Sequence, residues 1–294
     1  NMGTQLQLGG LSGAESAVVN TNGHHITFAN NVDCTYAGEI AGYASFTKLG
    51  SGTQTFSGTV EMQSATVSAG TLALSGDSDI LSGITVGAEG TLSLAGSVAL
   101  VERIDNAGTV NIAANTLFKL NMGDFDGGRF MLVYGTGNIN YAGTLTVDNF
   151  ALAGYDMAAL EQKGITAHIS QSGSSLSLSF DNLYRNLVWT GETNNTFSDA
   201  NWKDGETTGV SFGLVDNVTF DNTATKQSVE VDENIFIDNM HVNAGAYTFS
   251  GAGLHVLSSF HVAEDASATL NTMPTTLGSA TVDGTLNLAF TGTW

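Results

Sequence analysis

The sequence predicts an all-β chain wound as a right-handed parallel β-helix, and three observations carry that prediction. The first is a phrase that returns at a fixed interval: Val67-Ser68-Ala69-Gly70-Thr71-Leu72-Ala73-Leu74, then Val86-Gly87-Ala88-Glu89-Gly90-Thr91-Leu92-Ser93-Leu94, then Ile104-Asp105-Asn106-Ala107-Gly108-Thr109-Val110-Asn111-Ile112. Gly70, Gly90 and Gly108 stand 20 and 18 residues apart. The second is a downstream set led by Val242, Val262 and Val282, 20 residues apart at each step. The third is a single proline, Pro274, among 294 residues. Sheet interiors exclude a residue without an N–H, whereas disordered stalks are rich in it. A unit near 20 residues can bury its apolar face only against its neighbours, so stacking is compulsory.

In chain order, Leu6-Gln7-Leu8 before Gly9-Gly10 reads as a first strand, and each repeat then reads as a short strand, a bend at Gly or Ala-Gly, and a second strand. Between 119 and 183 the units loosen into Phe130-Met131-Leu132-Val133-Tyr134 and Leu145-Thr146-Val147. A helical turn or two follows, capped by Asp156 and stopped at Gly164. Leu176-Ser177-Leu178-Ser179-Phe180 and Val229-Glu230-Val231 alternate as strands do. Aromatic density rises at Leu187-Val188-Trp189, which predicts a register change and divides one elongated rod into segments 1–183 and 184–294. Asn22-Gly23, Asp126-Gly127, Asp204-Gly205 and Asp283-Gly284 suit hairpin turns, and an antiparallel sandwich or barrel is the competing fold. The longer period favours coils, on the order of 14 of them spaced about 4.8 Å apart.

The chain carries 8 basic against 28 acidic residues, a net charge of -20, spread over both segments. Such a field repels phosphate backbones and no Lys/Arg cluster opposes it, which excludes nucleic acid. Anionic bilayers and polyuronates are disfavoured for the same reason. Cys34 is the one cysteine, so no internal disulfide forms, and with no nucleophile-type partner it is expected to be buried and inert. No apolar run reaches the length of about 18 residues that spans a bilayer as a helix. Asn1-Met2-Gly3 shows no signal-peptide pattern, and strand begins almost at once, so the expectation is a piece of a longer chain.

Phe46-Thr47-Lys48-Leu49-Gly50-Ser51-Gly52-Thr53-Gln54-Thr55-Phe56-Ser57-Gly58, running into Val67 to Leu74, resembles the β-strand repeat of autotransporter passengers. Lys48, Gly50, Gly52, Thr53, Gly58, Val67, Gly70, Thr71 and Leu72 fit its pattern. Gln54 stands where Leu is usual, and the Asn-x-Tyr-x-Gly middle is missing. Trp189-Thr190-Gly191, Asn201-Trp202 and Asp216-Asn217-Val218-Thr219-Phe220 resemble a segment found between such repeat blocks, with Phe197 at a place that is often Trp. The resemblance implies a surface or secreted passenger, exported through the periplasm and across a bacterial outer membrane. Its role would be a scaffold for adhesion to a glycan or protein receptor, with self-association through exposed end coils. The membrane barrel of such proteins is not among these residues: one alternating segment ending at Trp294 is not a barrel.

A polysaccharide-active β-helix enzyme, glycosidase or lyase, is the alternative. An inverting glycosidase needs two carboxyl groups about 6.5–9.5 Å apart, and Asp77 with Asp79 or Asp124 with Asp126 are the candidate pairs. Turn acids on a solvated edge are the simpler reading, and no catalytic residue is assigned. Asp124-Phe125-Asp126-Gly127-Gly128 begins like a calcium loop but lacks its later ligands. His24-His25 and the trio His241, His255 and His261 match no zinc spacing, although coils of 20 residues would place His241 and His261 in one ladder. Gly50-Ser51-Gly52 lacks the lysine and helix of a phosphate loop. Asn194 and Asn217 fit the glycosylation acceptor rule, which bacterial export makes irrelevant. No metal or cofactor is expected. Trp189, Phe197 and Trp202 are the candidate ligand-binding residues: exposed, they would stack on sugar rings, and buried, they would fill the register change.

Overall fold

The structure is a computed structural model that describes residues 6–122, 125, 128–272 and 274–289. It is 58% strand and 4% helix, with parallel stacked sheets that form a β-solenoid of about 14 turns. Parallel pairing at coil-length separation rules out the sandwich and the barrel. The described residues fall into two compact units, one running up to Met157 with Ala167–Ser179 added, the other made of Ala158–Thr166 and the chain from Phe180 onward.

In the first unit three columns of strands stack coil on coil. Ile26, Phe46, Ala65, Ile84 and Ile104 are successive register partners on one side. Tyr36, Phe56, Leu74, Leu94 and Ile112 follow one another on the second, and Ile40, Val60, Ser78, Val98, Phe118 and Phe150 on the third. All of these side chains are buried, and removing each large apolar one from water contributes about 1.5–3 kcal/mol. The recurrent phrase is in register with itself: Gly70, Thr71 and Leu72 in Thr59–Leu74 pair with Gly90, Thr91 and Leu92 in Ile84–Leu94. Because side chains alternate along a strand, polar residues form outward ladders, as where Asn140 donates to Asn111 at 2.9 Å and Asn111 to Ser93 at 3.3 Å.

Glycine sets how closely the coils approach. Gly38, Gly58, Gly76 and Gly96 stand above one another at one corner. A Cβ on Gly58 would lie 2.1 Å from the Gly38 oxygen, and one on Gly76 or Gly96 2.0 Å from the glycine oxygen of the coil before. The lysine of the passenger-like motif turns inward. Lys48 is 1% exposed and sits between Phe28 and Val67 in an apolar ladder. Its ammonium ends in the following turn, where the Leu49 and Gly50 carbonyls accept from it at 2.5 and 2.9 Å.

The coil period breaks once within this unit. Ile84 and Ile104 are partners 20 residues apart, but the next partner of Ile104 is Val133, 29 residues on. The additional residues lie just before strand Arg129–Gly135, whose other pairing, to Ser175–Phe180, is antiparallel.

The second unit repeats the parallel logic. Phe220, Val242, Val262 and Val282 pair in succession, as do Val229, Phe249, Leu270 and Leu288. Asn186–Trp189 bears an antiparallel addition, Trp202–Asp204 followed by Thr207–Val210, with Gly205 at φ 56° in the turn between them. Asp204-Gly205 is therefore a true hairpin inside a coiled architecture. The expected helical turn is present as Met157–Gln162, and Gly164 follows it at φ 82°.

Candidate ligand groove

The sugar-stacking platform expected at Trp189, Phe197 and Trp202 does not form. All three are 0% exposed. Trp189 and Trp202 meet edge to face with centroids 5.0 Å apart, Phe197 and Trp202 at 4.8 Å, and Phe212 and Phe220 close around them. The indole N–H of Trp189 donates to the Lys226 carbonyl at 2.8 Å, and that of Trp202 to the Phe197 carbonyl at 2.7 Å. With ring faces covered and N–H groups satisfied, nothing is left to offer a ligand.

The neighbouring motif residues serve the same core. Buried Asn201 donates to Asn194 and to the Thr196 carbonyl, and accepts from the backbone N–H groups of Thr193 and Asn194, which completes its amide bonding. Asp216 receives both Nε and Nη2 of Arg185, at 3.0 and 2.6 Å, and the Gly213 N–H at 2.9 Å. Burial pushes the Asp216 carboxyl up, and Arg185 pulls it back.

The acid pairs fare no better as catalysts. Lys119 donates to Asp77 at 2.8 Å, and together with Ser97 it holds the Asp77 carboxyl below the ordinary carboxylate range. A general acid needs the opposite shift. Asp79 accepts from the Tyr43 hydroxyl at 2.9 Å. Asp124, Asp126 and Gly127 of the calcium-like loop lie outside the described residues, as do Asn1-Met2-Gly3 and Trp294.

His241 and His261 are register partners with rings 5.9 Å apart, so the ladder read from their spacing exists. His255 stands elsewhere, stacked on Phe236 at 4.6 Å and bonded to Thr276 at 2.8 Å. Burial lowers both His241 and His255, His261 adding to the effect on His241. His25 bonds Thr47 at 3.1 Å. Cys34 is half-buried rather than buried. Among the described residues no group of three or more His, Cys, Asp or Glu side chains is placed to hold a metal.

One concave site in the first unit has ligand-like chemistry, and it lies where the coil lengthens. A groove of about 660 Å³ opens between the strand ends at Leu100–Asp105 and Arg129–Tyr134. Its apolar side is supplied by the buried residues Leu100 and Leu120. The Arg103 guanidinium lies 5.5 Å from the centroid of the Tyr134 ring and is held by Asp105, which accepts from Nε at 2.7 Å. Tyr134 is 53% exposed, so much of the ring is open to solvent. Arg129 is exposed and makes no ion pair among the described residues, whereas Lys48, Lys119 and Arg103 of this unit are engaged.

Sequence reasoning passed over Arg103, Arg129 and Tyr134. Their signal was the missing repeat after Gly108 combined with two arginines in an acidic chain. Comparison with known proteins finds no matching family model, no matching curated protein and no matching solved structure.

Proposed function

We propose that this chain is a non-catalytic β-solenoid scaffold that binds a glycan or protein receptor in the groove beside Tyr134, as part of an exported passenger displayed on or released from a bacterial surface. The observation that carries the binding reading is the exposed Tyr134 ring, steadied by Arg103 beside an apolar wall, at the coil lengthened by nine residues (29 against 20). Insertions into solenoid repeats gather on one face, often the binding face, and an aromatic ring suits the apolar side of a sugar. The passenger reading is supported by the motif itself, since Lys48, Gly50 and Gly58 all act in closing or stacking the coils. Asp77, held in its charged form by Lys119, favours binding over hydrolysis.

A panel of immobilised neutral and acidic oligosaccharides tests this. Saturable binding without release of reducing ends, weakened at least about tenfold (about 1.4 kcal/mol) by Tyr134→Ala, is the expected result. Turnover of a bound glycan would restore the enzyme alternative. Binding that ignores Tyr134→Ala would move the site elsewhere.

A further inference from the structure

We infer that the groove selects a sugar carrying a single carboxylate and rejects polyanionic polymers. This rests on the reading of the groove as a ligand site and names the class of ligand it takes. The Arg129 guanidinium is the element that decides it. A guanidinium presents its donors as a planar fork that matches a carboxylate bidentately, and among the described residues no carboxylate pairs with this one. Arg103 cannot substitute freely, because Asp105 holds its Nε and its plane is committed to Tyr134. The pair therefore divides the work: Arg129 takes the carboxylate, and the Tyr134–Arg103 stack carries the sugar ring.

The rest of the molecule sets the limit on charge. The chain has a net charge of -20, and Glu102 and Asp105 border the groove itself. One carboxylate seated at Arg129 is dominated by its immediate partner. The distant acids are screened beyond a Debye length of about 8 Å at physiological salt. A polyuronate would carry its further carboxylates past the groove and onto acidic surface, where each is repelled. A basic peptide, the opposite occupant, would meet Arg129 and Arg103 at the point of contact.

The test is an NMR titration of the whole chain with methyl glucuronide, methyl glucoside and polygalacturonate, in wild type, Arg129→Gln, Arg129→Lys and Tyr134→Ala. The glucuronide should bind at least about tenfold more tightly than the glucoside (about 1.4 kcal/mol), and polygalacturonate more weakly per uronate than the glucuronide. Arg129→Gln should erase the preference while leaving glucoside binding, Arg129→Lys should restore it in part, and Tyr134→Ala should weaken both sugars. Circular dichroism confirms that each variant folds. Equal binding of the two monosaccharides, or tighter binding of the polymer, overturns the charge selectivity and leaves the groove as a sugar site. Failure of either monosaccharide to bind, or capture of an oligolysine peptide instead, overturns the sugar reading of the groove together with this inference.

Discussion

The Lys48 ammonium and the Gly50 carbonyl oxygen lie 2.9 Å apart inside the turn that closes a coil. The same ammonium reaches the Leu49 oxygen at 2.5 Å, so a buried cation supplies donors to two carbonyls that have turned away from the strand ladder. Burial lowers the Lys48 amine, with Asp33 and Cys34 pulling the other way. Lys48→Met keeps the stem and removes the donors. Each unsatisfied buried group costs about 1–3 kcal/mol, and a lower urea midpoint of that size is the expected outcome. An unchanged or higher midpoint would show that the stem alone matters.

Gly58 tests how tightly the coils stack. In Gly58→Ala the new methyl would sit 2.1 Å from the Gly38 oxygen and 2.2 Å from that of Ala37, both backbone atoms that cannot swing aside. The substitution should cost about 3 kcal/mol, the upper end of overpacking, or prevent folding. Gly143→Ala is the control, because nothing lies closer than 4.0 Å to its added carbon. Equal stability of the two variants, measured by urea unfolding, would mean that the coils are farther apart than described.

Arg185 and Asp216 predict a pattern of non-additivity. Asp216→Ala strands a largely buried guanidinium, and breaking such a pair costs about 3–5 kcal/mol. The double variant Arg185→Met with Asp216→Ala should recover part of that loss. A double-mutant cycle on chemical denaturation reads the coupling, and simple additivity would reduce the pair to two independent contacts.

The histidines of the second unit predict acid sensitivity. Burial lowers His241 and His255 below their ordinary value of 6.5. The unfolded chain therefore takes up protons first, and stability present above about pH 6.5 is lost as the pH falls toward and through the folded values. Around them stand His261, which faces Asp283 at 3.0 Å, and Thr276. The thermal midpoint should fall from pH 7 to pH 5, and the slope should flatten in a His241→Asn, His255→Asn variant. A slope that the double variant leaves untouched would assign the sensitivity to carboxylates.

The coil architecture was legible because stacking imposes one spacing on chemically similar positions. Val242, Val262 and Val282, read as the leading residues of three repeats, are consecutive register partners, and so are Gly70 and Gly90. His241 and His261 follow by the same arithmetic. Inside and outside were harder to tell apart for the aromatics. A tryptophan needs only one carbonyl to satisfy its N–H, and those of Lys226 and Phe197 come from residues 37 and 5 positions away, which no spacing rule anticipates. The groove escaped because a repeat search rewards regularity, and Arg129 and Tyr134 lie just past the place where regularity stops.

The central claim is that successive coils lie in parallel register, since that places Arg103 and Tyr134 on one groove. Thr35, Thr55, Ala73, Ser93 and Asn111 follow one another through four coil steps. Spin labels at Thr35 and Asn111 in a Cys34→Ser background, read by pulsed electron paramagnetic resonance, measure that stack directly. A narrow distribution centred near about 20 Å, four steps of about 4.8 Å each, is predicted. A distribution centred beyond about 30 Å, well outside four such steps, or one with no defined maximum, would contradict it.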